Sequence, residues 1–174
     1  KLEILYFGSF AKDKGINWLL QNFYLLQNKY NLTCIGALDF NNLDKKKYDR
    51  SRNIKIFKNT DQENLKDLIL NSDILIAPYL KNNNSHSPLK LYEYLSCNKI
   101  ILTSDTSSSN FLKDKKNCIK FNINNKYDLI KKIELTRLYC LNKISNNIRQ
   151  INYSFFKSTQ KIHEKRLINN LKEL

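Results

Sequence analysis

The amino-acid sequence predicts an α/β protein of Rossmann-like type, with a doubly wound parallel sheet of about six strands, helices on both faces and a C-terminal helical tail. Three observations carry this expectation. Short β-rich runs alternate along the chain with stretches whose apolar residues recur at helical spacing. Several of the runs are apolar throughout, Ile-Leu-Ile-Ala at 74–77 and Ile-Ile-Leu at 100–102, as strands covered on both faces require. Strand–helix alternation of this kind implies parallel strands joined by right-handed crossovers.

Taken in order, the strand runs are Leu2–Phe7, Leu32–Ile35, Ile54–Phe57, Ile74–Ala77, Ile100–Thr103 and Cys118–Phe121. After the first, Ile16, Leu19, Leu20 and Phe23 fall at i, i+3, i+4 and i+7, one face of a helix. After the third, Leu65, Leu68 and Ile69 repeat that spacing behind Thr60 or Asp61 as the N-cap. After the fourth, Ser87 is a suitable cap and Pro88 a suitable first helical residue, with Leu91, Tyr94 and Leu95 facing the core. From about Lys126 the strands cease. Tyr127–Leu141 reads as one helix and Phe155–Leu171 as another, with an Asn-rich joint at Ser145–Asn147. The expected organisation is one domain, an α/β core over about 1–124 and a helical tail over 125–174.

The 174 residues suffice for one domain with a real core, and 41% hydrophobic with 26% charged residues is ordinary for a globular chain. No apolar run approaches the roughly 18 residues of a membrane span. The charged start Lys1-Leu2-Glu3 leads straight into a strand-like run, unlike a secretory signal. Met is absent throughout, the first position included, which suggests a piece of a longer protein. Cys34, Cys97, Cys118 and Cys140 are widely spaced, and only His86 and His163 are available to join them. The expectation is therefore free buried thiols and no zinc or disulfide framework. A net charge of +14 suggests an anionic partner such as phosphate groups, a membrane surface or nucleic acid. The lysines are spread along a chain crowded with Asn and Ile, so a solvated lysine-rich surface accounts for the charge equally well.

Ligands of open α/β sheets bind beyond the carboxyl ends of the strands, close to helix N-termini. Two junctions carry suitable residues. In Gly8-Ser9-Phe10-Ala11-Lys12-Asp13-Lys14-Gly15, two of the chain's three glycines bracket a loop that ends the first strand, and Lys14 can point a charge at a phosphate. An ordinary turn with solvated lysines is the alternative, and the spacing is not that of a P-loop. In Ser87-Pro88-Leu89-Lys90-Leu91-Tyr92-Glu93, Lys90 and Glu93 share a helix face. A lysine there suits phosphate and a carboxylate suits the two hydroxyls of a ribose; a surface ion pair is the alternative.

Together these segments resemble the C-terminal domain of group 1 type retaining GT-B glycosyltransferases. Ile4-Leu5-Tyr6-Phe7-Gly8-Ser9 through Lys14-Gly15-Ile16 is similar to that family's opening strand and glycine turn, and Cys34-Ile35-Gly36 to its second strand. Asn71-Ser72-Asp73-Ile74-Leu75-Ile76-Ala77-Pro78 resembles the run into the donor loop. Ser87-Pro88-Leu89-Lys90-Leu91-Tyr92-Glu93-Tyr94-Leu95 is close to a form of the donor motif. The likeness covers roughly residues 2–135, and Tyr153–Lys165 fits the family's closing helix.

The resemblance implies a nucleoside-diphosphate sugar as donor substrate and neither cofactor nor metal, because fixed positive charges stabilise the leaving diphosphate. Lys14, aided by Lys12 or Lys90, is expected to bind the diphosphate. Glu93 is expected to bind the ribose hydroxyls, and the amides around Leu89 and Lys90 to approach phosphate; the base would lie against backbone near Lys58 and Asn59. Gly8, Ser9, Ser85 and Ser87 complete the expected donor set. Departures from the family pattern are Ser9 in place of an arginine, Ser85 in place of the first of two glutamates, Pro88 in place of a glycine N–H, and Asn98 in place of the glycine after the donor helix. The acceptor, a surface glycan or glycolipid, and the catalytic base would belong to an N-terminal domain that this chain lacks. His86 is not a catalytic candidate. The expected location is cytoplasmic, with peripheral contact to anionic membrane. The competing readings are a basic nucleic-acid-binding domain, for which no helix-turn-helix, zinc-finger or RRM pattern is present, and a non-catalytic relative that has lost donor binding.

Overall fold

A computed structural model describes residues 1–26, 29–36, 48, 51–80 and 89–141. The expected second tail helix at Phe155–Leu171 and the donor-loop residues Ser85, His86, Ser87 and Pro88 lie outside the described residues.

Six strands form one parallel sheet: β1 (Leu2–Phe7), β2 (Tyr30–Ile35), β3 (Ile54–Phe57), β4 (Ile74–Ala77), β5 (Ile100–Ser104) and β6 (Ile119–Phe121), in the order β3-β2-β1-β4-β5-β6. The helices are α1 (Ile16–Phe23), α2 (Gln62–Asn71), α3 (Leu89–Ser96) and α4 (Lys126–Leu141). The order grows outward from β1 in one direction and from β4 in the other, so the switch point lies between these two strands.

Alternation along the strands builds a core on each face. Ile4 and Tyr6 of β1, with Ile74 and Ile76 of β4, face Leu19, Leu20 and Phe23 of α1 and Leu129 and Ile133 of α4. Leu5 and Phe7, with Leu75 and Ala77, face Leu91, Tyr94 and Leu95 of α3 and the half-buried Leu65, Leu68 and Ile69 of α2. All four apolar residues anticipated on the α1 face are buried. Burying a single Leu or Ile side chain stabilises by about 1.5–3 kcal/mol, so central strands covered on both sides anchor the fold.

Strand ends differ from expectation by one or two residues where pairing extends them. β2 begins at Tyr30 because Tyr30 pairs with Leu2, and β5 runs on to Ser104 because Ser104 pairs with Phe121. β6 begins at Ile119 rather than Cys118. Asp61, not Thr60, caps α2: its carboxylate accepts from the Asn64 N–H at 2.7 Å. The far end of α2 is closed by Lys99, whose Nζ lies 2.7 Å from the Leu70 carbonyl and 2.8 Å from that of Ser72. Asn98 takes the left-handed conformation expected of it, at φ 53°.

Cys34 and Cys118 are buried, but Cys97 and Cys140 are only partly so, which corrects the expectation of four buried thiols. No helix among the described residues is long and apolar enough to cross a membrane.

Candidate functional site

The site is built where β1 and β4 part. β1 pairs with β2 along its whole length, from Leu2↔Tyr30 to Phe7↔Ile35, but with β4 only at Ile4↔Ile74 and Leu5↔Leu75. Beyond Leu5 a gap opens between β1 and β4, and the phenol of Tyr94 fills it from α3. Its oxygen accepts the Phe7 N–H at 3.1 Å and shares its proton between the carbonyls of Phe7 and Ile76, each 3.2 Å away. A side chain thus stands in for the missing ladder, satisfying backbone groups that would otherwise be buried without partners.

Above that phenol lies a cleft of about 190 Å³, lined by Tyr6, Gly8, Ser9, Lys14, Ala77, Pro78, Tyr79, Leu89, Lys90 and Glu93. Gly8 closes β1, its N–H donating to the Ile35 carbonyl at 2.9 Å. A Cβ on Gly8 would lie 3.2 Å from Lys90 Cε, so the bare backbone lets the lysine stem cross the turn. Tyr6 donates its hydroxyl to the Ser9 carbonyl, and Ser9 Oγ accepts from the Ala11 N–H at 3.1 Å. Gly15 ends the short 3-10 turn Lys12–Lys14 with φ +69°. A Cβ there would lie 1.8 Å from the Pro78 oxygen, so this loop and the exit from β4 meet backbone to backbone. The Leu80 N–H also donates to the Asp13 carbonyl at 2.9 Å. On the other side of that exit, Thr103 Oγ1 donates to the Ala77 carbonyl at 3.1 Å and Ser104 Oγ to the Tyr79 carbonyl at 2.7 Å. The wall from Ala77 to Leu80 is held from both flanks.

Among the described residues, two ammonium groups face this cleft, each with a carboxylate and an aromatic ring. Lys14 Nζ is 2.7 Å from Asp13 Oδ2 and 5.5 Å from the centre of the Tyr79 ring. Lys90 Nζ is 2.5 Å from Glu93 Oε2 and 4.6 Å from the centre of the Phe7 ring. Ring faces attract cations, so both amines have a reason to stay over the cleft when a carboxylate lets go. Glu93 is the most open of the four, its side chain 54% exposed. Burial raises the pKa of the Tyr6 and Tyr79 phenols, so both remain neutral hydrogen-bonding groups at neutral pH.

Of the ten residues expected at the donor, Gly8, Ser9, Lys14, Leu89, Lys90 and Glu93 line this one cleft. Lys58 and Asn59 are exposed at the carboxyl end of β3 and are not among its lining residues; Asn59 Oδ1 accepts from the Thr60 N–H at 2.9 Å. Ser85 and Ser87 lie outside the described residues. Sequence reasoning missed Tyr6, Tyr79 and Asp13, and it placed Tyr94 in the core without a role for its hydroxyl. Asp13 could have been found from its adjacency to Lys14, and Tyr79 from its place two residues beyond a strand at the switch point. Nothing local in the sequence marks the Tyr94 bridge.

The sequence pattern of the glycosyl transferases group 1 family matches residues 1–136. The chain belongs to that family. No curated protein matches it in sequence. Among solved structures, this group 1 domain is similar to a glycosyltransferase from Rickettsia africae, with 14% identity and TM-score 0.75 over 95% of this chain and 48% of that one. It is also similar to sucrose-phosphate synthase from Thermosynechococcus elongatus, at 14% identity and TM-score 0.77 over 99% of this chain and 46% of that one. A third is Anabaena HepE in complex with UDP-glucose, at 11% identity and TM-score 0.79 over 100% of this chain and 49% of that one. At such identities the likeness is one of fold. The group 1 domain spans about half the length of these structures.

Proposed function

We propose that this domain is the nucleotide-sugar-binding half of a retaining glycosyltransferase, which transfers a sugar from a nucleoside-diphosphate sugar to an acceptor such as a surface glycan or glycolipid. The observation that carries the reading is the convergence of Lys14, Lys90 and the open carboxylate of Glu93 on one cleft at the switch point. Diphosphate needs fixed cations close to both phosphates, and a ribose needs an acceptor for its vicinal hydroxyls; the cleft supplies both kinds of group. Family membership and the likeness to a structure containing UDP-glucose support the same reading.

In this proposal the sugar leaves a diphosphate whose charge grows as the bond breaks. Lys14 and Lys90, preorganised over Tyr79 and Phe7, stabilise that charge, assisted by backbone N–H groups around Leu89 and Lys90. Gly8 and Ser9 let the donor approach the β1 turn, and Ser85 and Ser87 lie on the sequence segment leading into α3. Glu93 exchanges its bond to Lys90 for the ribose hydroxyls, and the base extends toward Lys58 and Asn59. The catalytic base and the acceptor site belong to an N-terminal domain, without which the chain binds donor and transfers nothing. The basic surface suits work at the cytoplasmic face of an anionic membrane.

Calorimetric titration of the chain with UDP, GDP and ADP tests the reading, alongside Lys14→Ala and Glu93→Ala. Binding of one diphosphate that both substitutions weaken supports it and names the base. Absence of binding both here and in a longer protein that includes the N-terminal domain would leave a relative that has lost its donor. Sequence-selective capture of nucleic acid would favour the basic-domain reading.

A further inference from the structure

The donor-site reading gives no task to Asp13, although its carboxylate holds one of the two cations in the cleft. We propose that Asp13 competes with a bound diphosphate for the Lys14 ammonium, and so sets how readily a nucleoside diphosphate leaves the cleft. The inference rests on the donor-site reading and adds a determinant of affinity to it.

The geometry separates Asp13 from a residue that merely aims Lys14. The ammonium already lies 5.5 Å over the Tyr79 ring, so an aromatic face holds it at the cleft whether or not a carboxylate is present. What Asp13 adds is negative charge, 2.7 Å from Nζ on a side chain only 25% exposed. The backbone that carries it is pinned. The Asp13 carbonyl is tied to the Leu80 N–H at 2.9 Å, and two residues later Gly15 is jammed against the Pro78 oxygen. A diphosphate that reaches Lys14 therefore meets a carboxylate already bonded to the same ammonium and is repelled by it. The other pair is built differently. Glu93 is 54% exposed on a helix and can turn from Lys90 toward sugar hydroxyls, so the same movement that frees Lys90 creates a new contact. Among the described residues, the Asp13 carboxylate bonds only Lys14. The cleft thus carries one cation that ligand binding releases and one that stays partly neutralised, an arrangement that favours departure of a product diphosphate.

The test is calorimetric titration of the wild-type chain, Asp13→Asn and Asp13→Ala with UDP, inorganic pyrophosphate and uridine, after thermal scans that establish folding of each variant. Both substitutions are expected to tighten UDP and pyrophosphate about five- to tenfold and to leave uridine unchanged, since the effect acts on phosphate charge alone. Diphosphate binding by the wild type that neither variant improves would overturn the role of Asp13 and leave the donor site standing. Failure of all three proteins to bind any diphosphate, repeated in a longer protein that includes the N-terminal domain, would remove the donor-site reading and this inference with it.

Discussion

The hydroxyl of Tyr94 accepts the backbone N–H of Phe7 at 3.1 Å, joining α3 to the last residue of β1 at the point where β1 loses its second neighbour. The same oxygen reaches the Ile76 carbonyl at 3.2 Å, so one phenol bridges two diverging strands beneath the cleft. Tyr94→Phe keeps the ring, packed 4.8 Å from that of Phe7, and deletes only the bridge. Leaving a buried N–H unsatisfied costs about 1–3 kcal/mol. Thermal or urea denaturation of the variant should register that loss, and an unchanged midpoint would mean that the strands hold their separation without it.

The two loop glycines should differ in tolerance. Gly15→Ala places a methyl group 1.8 Å from the Pro78 oxygen at φ +69°, and neither backbone can yield without shifting a cleft wall. A loss of more than about 2 kcal/mol, or failure to fold, is expected from the combined strain and clash. Gly8→Ala meets the flexible stem of Lys90 at 3.2 Å, though its φ of +156° also disfavours a side chain. Its damage should fall mainly on ligand affinity. Soluble yield and melting temperature of the two variants decide the ranking.

Glu93 and the lysines can be separated by choice of probe. If Glu93 takes ribose hydroxyls, Glu93→Gln weakens UDP about ten- to 150-fold and leaves inorganic pyrophosphate nearly unaffected, one lost charge-assisted hydrogen bond being worth roughly 1.5–3 kcal/mol. Lys14→Ala weakens both. Equal losses of UDP and pyrophosphate in Glu93→Gln would instead assign the carboxylate to holding Lys90.

Alkaline pH should unfold this domain early. Burial lifts the phenols of Tyr6, Tyr79 and Tyr94 and the thiol of Cys34 well above their ordinary values, and pushes the Cys118 thiol up to about 12. In each case the folded state favours the neutral form. Its contribution to stability is complete below the unfolded value, 9.0 for a thiol and 10.0 for a phenol, and is lost as pH rises past it toward the folded value. The urea midpoint should therefore decline steadily from about pH 9 upward. A midpoint that stays level to about pH 11 would contradict the sign of these shifts.

Much of this molecule is legible along the chain because its strands are local and apolar. The runs at 2–7, 54–57 and 74–77 coincide with β1, β3 and β4, and the α1 face follows from four residues at helical spacing. Lys14, Lys90 and Glu93 are likewise recognisable, since each lies in a short segment whose residue types fit phosphate or ribose. Where a strand stops is less legible: Tyr30 joins β2 only because Leu2 is beside it, and Ser104 joins β5 only because Phe121 is.

By itself the sequence determined the α/β alternation, the covered strands and which segments carry charge beside glycine turns. These properties depend on spacing of a few residues, within reach of local sterics and burial. Only the tertiary structure decided that Tyr94 spans the gap between β1 and β4, 87 residues from Phe7 and 18 from Ile76. Only it set Gly15 against Pro78, and Lys14 over Tyr79 with Asp13 at its side. Such contacts form when crossovers bring distant strand ends together, and no local pattern encodes which pair will meet.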